Sequence, residues 1–207
     1  MTVAILGLGN MGKGIAARLA GKTDLVLGVR DAAANAALSA QFGNARVASI
    51  ADAIAAADIV VLALPYGAAL EVAARPDLAG KIIVDISNPV KPDFSGLSIG
   101  HTTSAAEEIQ AVASAAKVVK AFNTIFASVF AASAASTANV PVFVAGNDEA
   151  AVAAVSELVK LAGFAVENAG GLDAARLIEP VGMLNIRFGY GLGRGTAIAP
   201  QWTNVAA

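Results

Sequence analysis

Three observations predict an α/β protein built on a doubly wound, mainly parallel sheet. The first is Gly7-Leu8-Gly9-Asn10-Met11-Gly12, set between an apolar run at residues 3–6 and a helix-forming run at 13–19. The second is the alternation of fully apolar runs with helical stretches along residues 1–122, the pattern of successive βα units. The third is composition. With 57% hydrophobic and 14% charged residues over 207 positions, the chain can bury a core and is too apolar for disorder.

The glycine spacing reads as a strand, a tight turn and a helix start, which is a Rossmann-type dinucleotide fingerprint. Gly7 permits the turn, Gly9 lets backbone approach a pyrophosphate, and Gly12 lets helix and strand pack closely. Amides at the helix start, aided by the helix dipole, favour a phosphate there. A plain strand-helix turn that binds nothing is the alternative.

A second strand at 24–30 ends in Arg30. NAD-binding folds tend to place an acid about twenty residues beyond the fingerprint, on the ribose hydroxyls. A guanidinium there pairs instead with a 2'-phosphate, which points to NADP. The alternative leaves Arg30 in solvent, with Asp31 capping a helix at 32–40 or binding the ribose.

A short strand near 45–47 and a helix at 50–57, capped by Ser49, come next. The apolar strand at 58–65 ends in Leu64-Pro65-Tyr66, which should lie over the cofactor crevice, because ligands bind beyond the carboxyl ends of such strands. The strand at 81–86 repeats the pattern and leads into Ser87-Asn88-Pro89, with Asn88 on the cofactor side. Ser104-Ala105-Ala106-Glu107 is a capping box for a helix reaching about 114, and 117–122 is the sixth strand.

Beyond Asn123 the rhythm changes. An alanine-rich segment at 125–138 precedes a strand entered through Pro141, Asp148 caps a helix to about 162, and 164–167 is a short strand. Residues 172–190 form the longest helical stretch, with Leu177, Val181, Leu184 and Phe188 on one face and Pro180 kinking or interrupting it. Residues 189–195 are too glycine-rich to stay helical and should form a rim. The division is therefore an NADP-binding domain at 1–122 and a small C-terminal α+β cap at 123–207, which completes an acceptor cleft and is not independent. The uncharged stretch 121–147 is long enough for a membrane span, but Asn123, Thr124, Ser128 and Ser133 interrupt it, so it reads as protein interior.

Several chemistries are excluded. A net charge of -2 gives no footprint for nucleic acid, and the absence of cysteine removes disulfides, thiolate metal sites and cysteine nucleophiles. His101 is the single histidine and sits in a loop, so neither a Ser-His-Asp set nor a histidine metal site can form. No leader is evident, which makes a cytoplasmic location the default. Asp85 and Glu179 read as lone carboxylates. No catalytic side chain and no metal are expected. Alcohol oxidation needs a positioned proton acceptor, usually His, Lys or Tyr, and residues 161–207 contain no lysine. Hydride transfer between a nicotinamide and a flavin-like ring asks less, because the cofactors supply the reacting atoms.

Taken together, Gly7-Leu8-Gly9-Asn10-Met11-Gly12-Lys13-Gly14, Leu64-Pro65-Tyr66, Ser104-Ala105-Ala106-Glu107 and Lys120-Ala121-Phe122-Asn123-Thr124-Ile125 resemble the F420-dependent NADP reductases. The resemblance runs nearly end to end, through Glu179-Pro180-Val181-Gly182-Met183-Leu184-Asn185, and extends to the reductase domain of the six-transmembrane metalloreductases. It implies NADP on the Rossmann domain, with the deazaflavin coenzyme F420, or FMN or FAD, stacked on the nicotinamide under the C-terminal part. On that resemblance Asn10 and Met11 contact the pyrophosphate and Arg30 the 2'-phosphate. Leu64 and Pro65 flank the adenosine side or the nicotinamide ribose. Asn123, Thr124 and Ile125 border the ring pair, with Met183 on the acceptor side. Val29 stands where the archaeal-type pattern has Ser, and Asn123 where it has His; the metalloreductase branch also has Asn there.

The expected function is an NADP(H)-dependent oxidoreductase passing hydride to or from a small redox acceptor. The apolar content of the C-terminal part adds an expected homodimer. A small-molecule dehydrogenase or imine reductase of the 6-phosphogluconate, hydroxyisobutyrate or pyrroline-carboxylate type shares the fingerprint, as does a non-catalytic NADP-binding sensor.

Overall fold

A computed structural model describes residues 1–203 and 205. Its strands are β1 (Thr2–Leu6), β2 (Asp24–Val29), β3 (Arg46–Ser49), β4 (Ile59–Leu62), β5 (Ile82–Asp85), β6 (Lys117–Lys120), β7 (Pro141–Gly146) and β8 (Ala165–Gly170). The helices are α1 (Asn10–Leu19), α2 (Leu38–Gln41), α3 (Ile50–Ala56), α4 (Tyr66–Ala73), α5 (Ala105–Val112), α6 (Ala134–Thr137), α7 (Glu149–Leu161) and α8 (Ala175–Ile186). The strands form one sheet in the order β3-β2-β1-β4-β5-β6-β7-β8. The first six are parallel, β7 runs antiparallel to β6, and β8 is parallel to β7. This is the doubly wound α/β fold the sequence predicts, with strand order reversing between β1 and β4. Ligands bind such folds at that reversal, beyond the carboxyl ends of the strands.

Side-chain alternation along each strand divides the core in two. Val3, Ile5, Ile59 and Val61 pack on one face with Ile15 and Leu19 of α1 and Val155 and Leu158 of α7. Ala4, Leu6, Val60 and Leu62 pack on the other with Ile54 of α3, Ala69 of α4 and Ile109 of α5. Both faces are covered, which is why these strands read as unbroken apolar runs. The expected caps form: Ser49 Oγ accepts from Asp52 N at 3.1 Å, Ser104 Oγ from Glu107 N at 3.2 Å, and Asp148 Oδ1 from Ala151 N at 2.8 Å. Among the described residues no helix is long and apolar enough to cross a membrane.

Three local expectations are corrected. The helix expected at 32–40 is a run of turns through residue 37 followed by the short α2. Asn35 Nδ2 donates to the Asp31 carbonyl at 2.7 Å, taking the acceptor that a helix would offer to Asn35 N, and the backbone bonds become i to i-3. Pro180 lies inside α8 without ending it. The glycine-rich segment also stays coiled further than expected, because Arg187–Gly191 continue α8 as a π-helical turn.

Arg18 ties α1 to the later chain. Its Nε donates to Phe130 O at 2.8 Å and its Nη2 to Ala132 O at 2.7 Å, with the guanidinium over the Phe164 ring. Arg18→Met leaves the buried Phe130 carbonyl without its donor, removes the bond to the Ala132 carbonyl, and is expected to cost about 2 kcal/mol. A urea titration should show a lower midpoint at unchanged slope; a loss under about 1 kcal/mol would show that solvent replaces the guanidinium.

Candidate functional site

The fingerprint turn divides its glycines by role. Gly7 has φ +96°, and a Cβ there would collide with the Ala63 carbonyl, while one at Gly12 would collide with the carbonyl of Gly7. A Cβ at Gly9 meets nothing within 4 Å. The protein's own packing thus requires the outer two glycines, and the space in front of the middle one is open. Gly9 is the N-cap of α1, with no side-chain cap and no acid in the first turn. The first helical bond runs from Lys13 N to Gly9 O at 2.9 Å, leaving the amides of Asn10, Met11 and Gly12 without a helical acceptor. Arg30, just past β2, is exposed and makes no hydrogen bond or ion pair among the described residues. Asp31 Oδ1 is occupied by Ala34 N at 3.0 Å. An open backbone cradle, unpaired helix amides and an unpaired guanidinium one strand away fit a 2'-phosphorylated dinucleotide.

Leu64, Pro65 and Tyr66 follow β4 beside this turn. Tyr66 turns its hydroxyl to the Glu108 carboxylate on α5, and burial together with that carboxylate pushes the phenol above its ordinary value of 10.0.

Beyond β5 and β6 lies a cavity of about 280 Å³. It brings Asn10 and Met11 from the fingerprint together with Asn88, Asn123, Thr124 and Ile125. Phe122 holds a left-handed φ of 60°, rare for an aromatic residue, and redirects the chain immediately before Asn123. Its ring is fully buried and packs against Phe130 and Phe164, which holds the strained backbone in place. Asn88 Nδ2 donates to Asn123 O at 2.7 Å, and Asn123 Nδ2 donates back to Asn88 Oδ1 at 2.9 Å. Met183 is not in this cavity. It lines a neighbouring one of about 760 Å³ with Phe94, Arg187 and Leu192, and Ile186 and Tyr190 border both.

The buried face of α8 was not evident from its apolar spacing. Leu177 is 73% and Leu184 48% exposed, whereas Ile178, Glu179, Gly182 and Asn185 face inward. Asn185 Nδ2 donates to Thr124 O at 3.0 Å, and a Cβ at Gly182 would stand 2.8 Å from the Asn88 amide. Glu179 and Asp85 are not lone carboxylates. Fully buried Lys120 lies 2.7 Å from each and donates to Ser87 O at 2.6 Å. Asp85 and Lys120 are register partners on adjacent parallel strands, so their side chains share a face. Glu179 also accepts from Ala105 N and Ala106 N at the start of α5. The polar spacing Glu179, Gly182, Asn185 was the available signal for this seam, as was a lysine closing a buried strand.

A family model described as NADP oxidoreductase, coenzyme F420-dependent, matches residues 2–89. The F420-dependent NADP reductase of Methanocaldococcus jannaschii is 32% identical over 199 residues, covering 87% of this chain and 89% of that protein. The chain belongs to the F420-dependent NADP reductase family. The family is one of NADP-dependent oxidoreductases. This F420-dependent NADP reductase family member is also 32% identical over 183 residues to rat metalloreductase STEAP3, covering 86% of this chain but only 36% of that protein, so it spans about a third of that relative. A solved Arthrobacter sp. FB24 structure, described as a candidate F420-dependent NADP reductase, superposes with a TM-score of 0.84 at 33% identity, covering 99% of this chain and 100% of that one.

Desolvation raises the Glu179 pKa above the ordinary 4.5, and Asp85 adds to it against the opposing effect of Lys120. Between 4.5 and the raised value the folded protein keeps a proton that the unfolded chain has released, so this contribution to stability falls as pH rises. The stability of wild type relative to Glu179→Gln should therefore decline with pH from about 4.5 upward and then level off; a constant difference in urea titrations across pH would refute the assignment. Lys120→Met leaves two buried carboxylates without their cation and is expected to cost about 3–5 kcal/mol in the same measurement.

Proposed function

We propose that the protein transfers hydride between NADP(H) and the ring of a deazaflavin such as F420, with a flavin (FMN or FAD) as the alternative acceptor. The observation that carries this reading is the cavity that sets the fingerprint residues Asn10 and Met11 opposite Asn123, Thr124 and Ile125. Gly9 and the α1 amides would hold the pyrophosphate, Arg30 the 2'-phosphate, and Leu64, Pro65 and Asn88 the ribose flank. NADPH supplies the hydride when bound. The chain's own part is to bind, orient and exclude water: Met11, Ile86, Ile125 and Phe126 give the cavity apolar walls, and its amides give it a polar edge. The reading places the protein in the cytoplasm as a homodimer, with the outward apolar face of α8 at Leu177 and Leu184 as the contact surface; sedimentation tests the dimer.

Assays of NADPH oxidation with F420, FMN and FAD test the acceptor, and no turnover with any of the three would retire the proposal. Arg30→Ala should weaken NADPH at least about tenfold more than NADH, the worth of one charge-assisted phosphate contact. Gly9→Ala places a methyl group where the protein leaves open space. It should change stability by no more than about 1 kcal/mol while weakening NADPH at least roughly tenfold by calorimetry. Unchanged affinity would make the turn a purely structural one.

A further inference from the structure

A further groove, of about 330 Å³, lies between β8 and the first half of α8 and shares no lining residue with the two cavities above. Its apolar walls are Phe143 of β7, Ala169 of β8 and Leu177, Ile178 and Val181 of α8. Glu167 stands among them. Phe143 and Glu167 are register partners on adjacent parallel strands, so the carboxylate is carried on the same sheet face as the phenyl ring. β8 is the last strand of the sheet, and Glu167 is exposed on it. Its carboxylate makes no hydrogen bond or ion pair among the described residues. The cations nearest to it along the chain are taken, because Glu157 holds Lys160 and Glu107 holds Arg176. Asp85 and Glu179 share a lysine, whereas the charge of Glu167 is unanswered.

The C-terminal segment adds Trp202 to the same groove. Its ring stands 5.3 Å from that of Phe143 at an interplanar angle of 82°, and the side chain is still 68% exposed. Two aromatic rings nearly at right angles, a free carboxylate and aliphatic walls define the chemistry of the groove. The faces of aromatic rings attract cations, tryptophan most strongly, and the attraction grows as the cation loses water. The aliphatic walls favour apolar groups on that cation. An anion would be repelled by Glu167, and a neutral apolar ligand would take water from the carboxylate and return nothing.

We propose that this groove is a binding site for a small organic cation, an alkylated ammonium. Its nitrogen sits against the Trp202 and Phe143 rings within reach of the Glu167 carboxylate, and its alkyl groups lie against Leu177, Ile178 and Val181. The volume is at the small end of the range for ligand cavities, which suits a head group of a few carbons. The groove shares α8 with the cofactor cavity but none of its lining residues, so the inference stands without the hydride-transfer reading. Leu177 also belongs to the surface named above for a second copy, and the test separates the two occupants.

Trp202 is the only tryptophan in the chain, so tryptophan emission reports on this groove. The protein is titrated at constant ionic strength with choline and with 3,3-dimethylbutan-1-ol, the uncharged isostere of choline. Choline should change the emission saturably and bind at least about threefold more tightly than the alcohol, the combined worth of a cation–π contact and a partly exposed ion pair. Glu167→Gln, at an exposed position, should leave the melting temperature unchanged and remove most of that preference. Trp202→Leu, followed by calorimetry because the emission is gone, should weaken choline by a similar factor. No saturable response to choline, equal affinity for choline and the alcohol, or a preference that survives Glu167→Gln overturns the assignment. So does an emission that shifts on dilution of the protein and not with choline, which would show that a second copy covers the groove.

Discussion

The geometry of the cavity depends on a buried cation between two carboxylates. Lys120 ends β6 with no exposed surface, and Asp85, Glu179 and the Ser87 carbonyl surround its ammonium. Taking these charges out of water is expensive, and an apolar replacement of the whole set could be as stable. What the cluster supplies is direction. An apolar seam would let α8 slide along the sheet edge, whereas an ammonium with three short contacts admits one position. Because Glu179 also receives the first amides of α5, one cluster joins β5, β6, α5 and α8.

Consequences propagate along the chain from there. Three residues beyond Asp85 is Asn88, and three beyond Lys120 is Asn123; these two exchange hydrogen bonds across the cavity wall. One turn beyond Glu179, Gly182 rests on that pair, and Asn185 reaches Thr124. The opposite wall is the start of α1, where Gly7 and Gly12 serve the protein's packing and Gly9 leaves room. The buried Arg18 holds α1 to the segment that follows Thr124, so the two walls are linked by packing and do not merely face each other.

Membership of the F420-dependent NADP reductase family accords with a site whose walls are apolar and whose polar groups are amides and hydroxyls. The similarity to STEAP3 covers most of this chain but only about a third of that protein.

Local patterns were enough for most of the fold. The fingerprint, the apolar parallel strands and the Ser49, Ser104 and Asp148 caps depend on spacings of a few residues, and the doubly wound order follows from them. The 32–40 helix failed on a local competition, Asn35 against the backbone for the Asp31 carbonyl. The inward face of α8 was not legible in the sequence. Its apolar stripe has the right period for a buried face, yet Leu177 and Leu184 are exposed, and the inward face carries Glu179 and Asn185 beside Ala175, Ile178 and Gly182. Periodicity finds the face that would be buried against an apolar neighbour. It cannot register a partner that is itself charged and lies 59 residues away in Lys120, or 94 away in Asp85. The sequence alone therefore determined the parallel strands β1 to β6, the glycine turn between β1 and α1, and the residues at the strand ends. Which of those ends meet, and that Glu179 and Asp85 share a lysine, was decided by tertiary structure, because a buried charge is tolerable only where the fold delivers its counter-charge.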